Sequence, residues 1–339
     1  MNYIGFDLGD GESSVALLNE DSRNASIVII DGRESFPTAV GTLKETHSHI
    51  IGSNAIANES ICDDFRVCFK QHFADNDIDV YDCYQRFVSV VMQALRNKVS
   101  EKISNPAEFR FVIGHPAGWN ETLKKRYEGM LNACRIENPL LVSESRAALV
   151  HYASTYLLGN SGHEKFDMSV LICDFGSSTI DFSYLPDGIT DDIRSLGHKN
   201  LGGGLIDKQI VMNSVKRYAS SKDKDKILSI LNSDKSLLSL LLIKARDLKE
   251  KYFRANEKDA EFSKDVTIQR HGMEFINITV NDSIMESSLN APIRECNDES
   301  LRYALDSVLN EVSERLKDDP IDKIVLTGGA SRMRFFQEM

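Results

Sequence analysis

Two short stretches, 167 positions apart (174 − 7), carry the residues best suited to chemistry. At the start of the chain, Tyr3-Ile4-Gly5-Phe6-Asp7-Leu8-Gly9-Asp10-Gly11 delivers an acid and two glycines into a tight turn, and a second apolar run, Val15 to Leu18, returns soon after. Val170-Leu171-Ile172-Cys173-Asp174-Phe175-Gly176-Ser177-Ser178-Thr179-Ile180-Asp181-Phe182 repeats the apolar run, the acid, the glycine-bearing turn and the returning run. Each reads as a β-hairpin with chemistry at its tip. Glycines there permit φ > 0 and let main-chain N–H groups approach an anion, while the neighbouring acid can hold a hydrated divalent cation. One such hairpin also reads as an ordinary tight turn. Two of them, a domain apart, point to a duplicated fold closing around one ligand.

Two further charged residues are candidates. Lys70, in Phe65-Arg66-Val67-Cys68-Phe69-Lys70, reads either as a surface charge or as a cation reaching a phosphate. Glu144 follows the apolar Pro139-Leu140-Leu141-Val142 and precedes an Ala-rich helix, Arg146 to Tyr156. It reads either as a helix N-terminal carboxylate favoured by the dipole or as an acid at the carboxyl end of a strand, where open α/β sheets place ligands. His47 and His49 form no metal-ligand pattern and read as a solvated loop. The six cysteines (Cys62, Cys68, Cys83, Cys134, Cys173, Cys296) contain no C-x-x-C and read as reduced packing residues.

The elements that must position these groups follow from periodicity. A third strand is expected from Ser26 to Ile30, ended by Asp31-Gly32; Pro37 breaks the pattern, and Thr42 to Asp82 shows little periodicity. Tyr84, Phe87, Val88, Val91, Met92, Leu95 and Val99 stripe one helix face. Asn105-Pro106 ends that region, Phe109 to Ile113 forms a strand, and Asn120 caps a helix striped by Leu123, Tyr127, Met130, Leu131 and Cys134. Strand, helix, strand, helix implies right-handed crossovers and parallel neighbours. Beyond the polar connector Gly159 to Lys165 and the second hairpin, Ser220 to Lys226 is a mixed-charge, solvated stretch. Leu237, Leu241, Ala245, Leu248 and Tyr252 stripe another helix, and Val266 to Ile268 pairs with Phe275 to Val280 around His271-Gly272. A helix through Leu301, Leu305, Val308, Val312 and Leu316 leads into the strand Lys323 to Thr327.

Composition sets the boundaries. At 339 residues, 42% hydrophobic and 27% charged, the chain is expected to form about two globular domains and is neither disordered nor fibrous. No apolar run approaches the roughly 20 residues of a membrane span, and no basic leader precedes the first strand, so the cytoplasm is the default expectation. A net charge of −11 opposes binding to nucleic acid or an anionic membrane. A bound nucleotide would be held by local geometry and a cation.

Six motifs taken together resemble the nucleotide-binding domain of the Hsp70 chaperones, within the actin, sugar-kinase and Hsp70 ATPase superfamily. Asp7-Leu8-Gly9 resembles the first phosphate loop and Asp174-Phe175-Gly176-Ser177-Ser178-Thr179-Ile180-Asp181 the second. His115-Pro116-Ala117-Gly118-Trp119-Asn120 is similar to the proline-alanine turn, and Ser143-Glu144-Ser145-Arg146-Ala147-Ala148 stands where the family has its catalytic glutamate. Leu201-Gly202-Gly203 is similar to the turn into the upper lobe, and Val325-Leu326-Thr327-Gly328-Gly329-Ala330-Ser331-Arg332-Met333 to the adenosine motif. The resemblance implies an α/β fold of two duplicated RNase H-like, actin-like ATPase domains with a nucleotide cleft between them. Lobe I would span 1–158 (lower subdomain 1–34 and 105–158, reduced upper subdomain 35–104), and lobe II 166–339 (lower subdomain 166–206 and 297–339, upper subdomain 207–296). It further implies ATP or ADP and Mg²⁺ as ligands. Asp7 and Asp174 would hold the cation, Gly9, Asp10, Gly11, Gly176, Ser177, Ser178 and Thr179 would cradle phosphates, and Glu144 would act as general base with Lys70 neutralising charge. Asp181 would complete the acidic shell and favour K⁺. Gly202 and Gly203 would lie near ribose and phosphates, Gly328, Gly329 and Arg332 would flank the purine, and Lys249, which otherwise reads as an exposed helix lysine, would reach the adenosine.

The chain departs from the family in several places. Asp10, Gly11 and Glu12 replace two threonines and a tyrosine, adding two carboxylates near the phosphates. Ser177-Ser178 replaces two glycines, narrowing backbone freedom, and Lys124 replaces an arginine of the interdomain relay. The family's final helix, substrate-binding domain and linker have no counterpart here, so a further domain or partner outside the chain is expected. The functional expectation is a slow ATP-hydrolysing, Hsp70-like switch. An actin-like filament former, a small-molecule kinase and a nucleotide binder with little hydrolysis are the alternatives.

Overall fold

The structure, a computed structural model, describes residues 2–19, 25–70, 73, 77–100, 109–159, 168–186, 194–198, 201–218, 224–255, 260–268 and 273–338. The Asn105-Pro106 break, the connector past Gly159, the beginning of the mixed-charge stretch and the His271-Gly272 turn lie outside them.

Alternating apolar residues make β1 (Asn2–Leu8) and β2 (Glu12–Leu18), antiparallel from Tyr3↔Leu18 to Leu8↔Ser13. The third strand is shorter than expected: β3 (Ser26–Ile27) pairs with β2, and the chain then turns through Asp31 and Gly32, both at positive φ (53° and 71°). Pro37 does not break the sheet as expected. It ends β4 (Ser35–Pro37), which also pairs with β2, at an outer position where a missing N–H is tolerated.

The stretch read as aperiodic is in fact a small sheet. β5 (Ala39–Leu43), β6 (His49–Ile51), α1 (Gly52–Ala57) and β7 (Cys62–Val67) fold together, with strand order β6-β5-β7. Such short strands give too few alternations to stand out among polar turns. α2 (Ile78–Ser100) then buries Tyr84, Phe87, Val88, Val91, Met92 and Leu95 of the expected stripe. β8 (Phe109–His115) runs parallel to β1, and α3 (Glu121–Ala133) starts at Asn120, whose Oδ1 accepts the Leu123 N–H at 3.0 Å. β9 (Leu140–Ser143) runs parallel to β8 and delivers the chain into α4 (Glu144–Gly159), giving the order β3-β2-β1-β8-β9.

The second half opens with β10 (Val170–Phe175), β11 (Ile180–Leu185) and β12 (Arg194–His198). Its upper elements are α5 (Gly203–Tyr218), α6 (Lys224–Ser233), α7 (Lys235–Ala255), β13 (Phe262–Ile268), β14 (Met273–Val280) and α8 (Asp282–Asn290). The short pair β15 (Pro292–Ile293) and β16 (Glu299–Ser300) leads to α9 (Leu301–Arg315), β17 (Lys323–Thr327) and α10 (Arg334–Glu338). β17 runs parallel to β10 as β8 does to β1, in the order β12-β11-β10-β17. The duplication extends to register: Asp7 faces Ser14 across the first hairpin, and Asp174 faces Asp181 across the second.

Each half has its own core. Phe6, Leu8, Phe36, Phe69 and Phe87 centre the first, and Phe175, Phe182, Ile206, Ile210 and Leu241 the second. Two seams join the halves. α4 lays Leu149 and Ala153 on Val170, Ile172 and Leu185 of the second sheet, and the buried Ser183 and Ser145 hydroxyls meet at 2.7 Å. Above, the outer strand β7 donates its Phe65 and Val67 N–H groups to Ser236 Oγ (3.1 Å) and Ser239 Oγ (3.3 Å) of α7, satisfying an otherwise unpaired edge. Among the described residues no helix is long and apolar enough to cross a membrane.

Candidate functional site

The two hairpin tips face each other. Gly9-Asp10-Gly11 follows β1, and Gly176 to Thr179 follows β10, because in each case an apolar strand buried in its own core runs out at the acid. The tips touch: Ser177 Oγ donates to Asp10 Oδ2 at 2.9 Å. The tip glycines do not serve the backbone handedness expected of them. Gly9, Gly11 and Gly176 all lack positive φ, and what they provide is room: a Cβ on Gly9 would lie 2.3 Å from Glu12 O, and one on Gly176 3.1 Å from Thr179 O. Ser177 and Ser178 likewise take no positive φ, so serine there does not strain the loop.

Asp7, Asp174, Asp181 and Glu144 converge on the cleft. Asp7 stands open to the solvent of the cleft yet is surrounded by protein, and its pKa is pushed up to about 6 by desolvation and by the Glu144 charge, against the pull of Lys70. Asp174 is pushed up to about 8 by desolvation, then by Glu144, Asp181 and Asp7. Asp181, 1% exposed, is raised to about 6 by burial and by Glu144, although hydrogen bonds from Thr179 and Gly118 work the other way. Its Oδ2 accepts Thr179 Oγ1–H at 2.8 Å and its Oδ1 the Gly118 N–H at 3.2 Å, so it joins the second hairpin to the Pro116-Ala117-Gly118 turn of the other half.

Lys70 is not a surface charge. It is 4% exposed, donates to Leu8 O at 2.8 Å and ion-pairs with Glu144. Burial works against its charge, but Glu144, Asp7 and Asp10 outweigh that and hold its pKa above the ordinary value. Glu144 sits at the first position of α4, beyond the carboxyl end of β9, so the N-terminal and cleft-facing readings both hold. Lys249 is no exposed helix lysine either: it is 6% exposed, lies 2.7 Å from Asp207 Oδ1 and donates to Gly203 O at 3.0 Å.

The glycine-rich turn closes on the second tip. Gly203 N–H donates to Gly176 O (3.0 Å) and Gly204 N–H to Ser177 O (2.8 Å), and a Cβ on Gly202 would lie 2.5 Å from Ser177 O. Gly328 takes φ +80°, with a Cβ there only 2.3 Å from Phe175 O. Gly329 has open space beside it, and Arg332 is exposed.

Sequence reasoning placed Glu12 beside the phosphates, but it is exposed and accepts Ser35 Oγ–H at 2.9 Å on the β4 side. Lys124 pairs with Glu121, three residues before it in α3. Several residues of the cleft were not anticipated. Thr38 ties the first tip down, donating its Oγ1–H to Gly9 O at 2.7 Å and its N–H to Gly11 O at 3.0 Å. Arg246 lies between the tips, with Asp207 fully buried behind it. Its position three residues before Lys249 puts both cations on one face of α7, a spacing that would have pointed to it.

Duplicated sheets with acid-bearing hairpins aimed at one cleft define the actin-like ATPase fold. A sequence model described as "Hsp70 protein" matches residues 71–339, and the chain belongs to the Hsp70 family. It is similar to "Chaperone protein DnaK" of Elusimicrobium minutum (strain Pei191), 23% identical over 356 residues that cover 99% of this chain and 52% of that protein. It is also similar to "Chaperone protein DnaK" of Thermosipho africanus (strain TCF52B), 24% identical over 346 residues, 99% of this chain and 54% of that protein. The chain thus spans about half the length of these relatives. Family membership places it among nucleotide-binding ATPase modules in general.

Proposed function

We propose that the chain is a Mg²⁺-dependent, slow ATP-hydrolysing module that changes conformation with nucleotide state and acts on a domain or partner beyond it. The observation that carries this is the convergence of Asp7, Asp174 and the Lys70–Glu144 pair where the two tips meet. Desolvation and the charge of Glu144 push Asp7 and Asp174 toward protonation, a repulsion that a divalent cation between them would relieve. Asp7 and Asp174 would hold Mg²⁺, which when bound supplies positive charge beside the phosphates. Lys70, fixed by Leu8 O and Glu144, faces the γ-phosphate and offsets the charge that accumulates there. Glu144, held in place by Lys70, orients the attacking water and takes its proton. Lys249 and Gly203 with Gly328, Gly329 and Arg332 border the adenosine.

Asp7→Asn and Glu144→Gln are expected to keep the fold and to lower steady-state ATP turnover at least about tenfold. Glutamine is the informative choice at Glu144, because it keeps a side-chain oxygen for the buried Lys70, whereas alanine would leave Leu8 O as the acceptor of the two. Undiminished phosphate release in both variants would refute the assignment. The seam between β7 and α7 supports opening and closing, since beyond the contact of Ile243 with the small cluster around Phe65 it is held by two serine-to-strand hydrogen bonds.

A further inference from the structure

The hydrogen bonds of Arg246 leave one feature of the cleft outside the proposed mechanism. From α7, in the upper region of the second half, this side chain reaches across to both hairpin tips. Its Nη2 donates to Ser177 Oγ at 3.0 Å and to Cys68 Sγ at 3.1 Å, and its Nε donates to Asp207 Oδ2 at 3.1 Å. Gly11, at the opposite tip, is so close that a Cβ there would lie 2.7 Å from Arg246 Nη1. Asp10 completes the arrangement. It is 4% exposed, accepts from the same Ser177 hydroxyl, and its charge is among those that hold the guanidinium protonated against its burial. One arginine, one serine hydroxyl and one carboxylate therefore meet between two loops whose geometry suits an anion.

We propose that Arg246 is a phosphate-binding residue of this cleft, and that the Asp10 carboxylate occupies the place of a phosphate oxygen on the Ser177 hydroxyl that Arg246 also holds, until a nucleotide phosphate replaces it. The proposal rests on the nucleotide reading above. The chemistry is that of ligand exchange. A carboxylate and a phosphate both accept charge-assisted hydrogen bonds from a guanidinium, singly or in pairs, but the phosphate carries more charge and more oxygens. Asp207 keeps the arginine fork oriented from behind through Nε, which leaves the Nη nitrogens turned toward the tips. Asp10, placed by the sequence reading as a carboxylate that repels phosphate, is instead a resting partner that must be displaced. Affinity for phosphorylated nucleotides is lowered by that exchange, while affinity for a ligand with no phosphate is not.

Calorimetric titration of the whole chain with ADP, and with adenosine as the ligand lacking phosphates, separates the possibilities. Arg246→Ala is expected to weaken ADP binding about tenfold or more with adenosine binding unchanged, and Arg246→Lys to restore only some of it. Asp10→Asn is expected to tighten ADP binding by up to about tenfold, again without effect on adenosine, because one like charge leaves the phosphate site. Thermal melts of each variant check folding. Unchanged ADP affinity in Arg246→Ala overturns the proposal, as does an equal loss for ADP and adenosine, which would mean that Arg246 only holds α7 in place. Weaker ADP binding in Asp10→Asn would overturn the exchange, showing Asp10 to be a ligand-supporting group. Wild-type protein that binds neither compound would instead refute the nucleotide reading itself.

Discussion

Asp174 should make the ligand-free protein less stable as pH rises through neutrality, and removing its charge should reverse that. The carboxyl is raised from the ordinary 3.8 to about 8, because burial and the charges of Glu144, Asp181 and Asp7 oppose its ionisation. A folded state that holds a proton more tightly than the unfolded one is favoured at low pH. The stability that this proton contributes is fully present below about pH 4 and is lost as pH climbs to about 8. Linkage over that interval gives an upper bound of about 5 kcal/mol at pH 7.5. The side chain is partly open to solvent, and screening brings the expected figure to about 2 kcal/mol. Asp174→Asn keeps the shape and cannot ionise, so at pH 7.5 it should melt about 4 °C above wild type in the absence of nucleotide. The gap should nearly close at pH 4, where folded Asp174 is protonated and the unfolded carboxyl, with its ordinary value of 3.8, is close to its midpoint. Differential scanning calorimetry from pH 4 to pH 8 checks this directly. A wild-type melting temperature that does not fall between pH 6 and pH 8, or an Asp174→Asn variant less stable than wild type at pH 7.5, would refute the reasoning. The variant should also lose ATP turnover, so that the same change stabilises the fold and removes its activity.

Two further outcomes test the glycine geometry and the upper seam. Gly328→Ala should destabilise the protein by at least about 2 kcal/mol, since a left-handed backbone and a 2.3 Å approach to Phe175 O leave its Cβ no room. Gly11→Ala, whose Cβ meets only the movable end of Arg246, should melt within a few degrees of wild type; a similarly small loss in Gly328→Ala would show that its close backbone contacts relax freely. Ser236→Ala with Ser239→Ala removes both acceptors of the β7 edge and should accelerate release of a fluorescent ADP analogue several-fold with little change in melting. An unchanged release rate would mean that this seam does not gate the cleft.

How much was legible in the sequence depended on how local the signal was. Both hairpins, the α2 and α7 stripes, the Asn120 cap and the parallel strand Phe109 to Ile113 could be read because each is encoded by residues within a few positions of one another. The small sheet formed by β5, β6 and β7 could not, because its strands are short and β5 finds one of its partners some twenty residues away. The same limit applied to the site. Asp7 and Asp174 announced themselves by a repeated local pattern. Lys70 and Lys249 stayed ambiguous because their burial depends on Glu144 and Asp207, which lie 74 and 42 residues away (144 − 70 and 249 − 207). The role of the tip glycines was misjudged for a related reason: the need for space comes from Glu12 O and Thr179 O, which only the folded loop brings near.

The balance of charge in the cleft argues for the kind of ligand that belongs there. Asp7, Asp174, Asp181, Glu144 and Asp10 gather around two cations, Lys70 and Arg246, and neither cation points freely into the opening: Lys70 is taken by Glu144 and Leu8 O, Arg246 by Asp207, Cys68 and Ser177. A bare anion entering such a site would meet an excess of negative charge, in a protein whose net charge is already −11. A bare cation would find the carboxylates but no use for the arginine, the serine hydroxyl and the crowded glycine loops beside them. On the proposed reading, an anion that arrives with its own divalent cation would satisfy both halves: the metal side would meet Asp7 and Asp174, and the anionic side Lys70, Ser177 and Arg246. For such a ligand the excess of acids would act as a filter, disfavouring phosphates that come without metal relative to those that bring it.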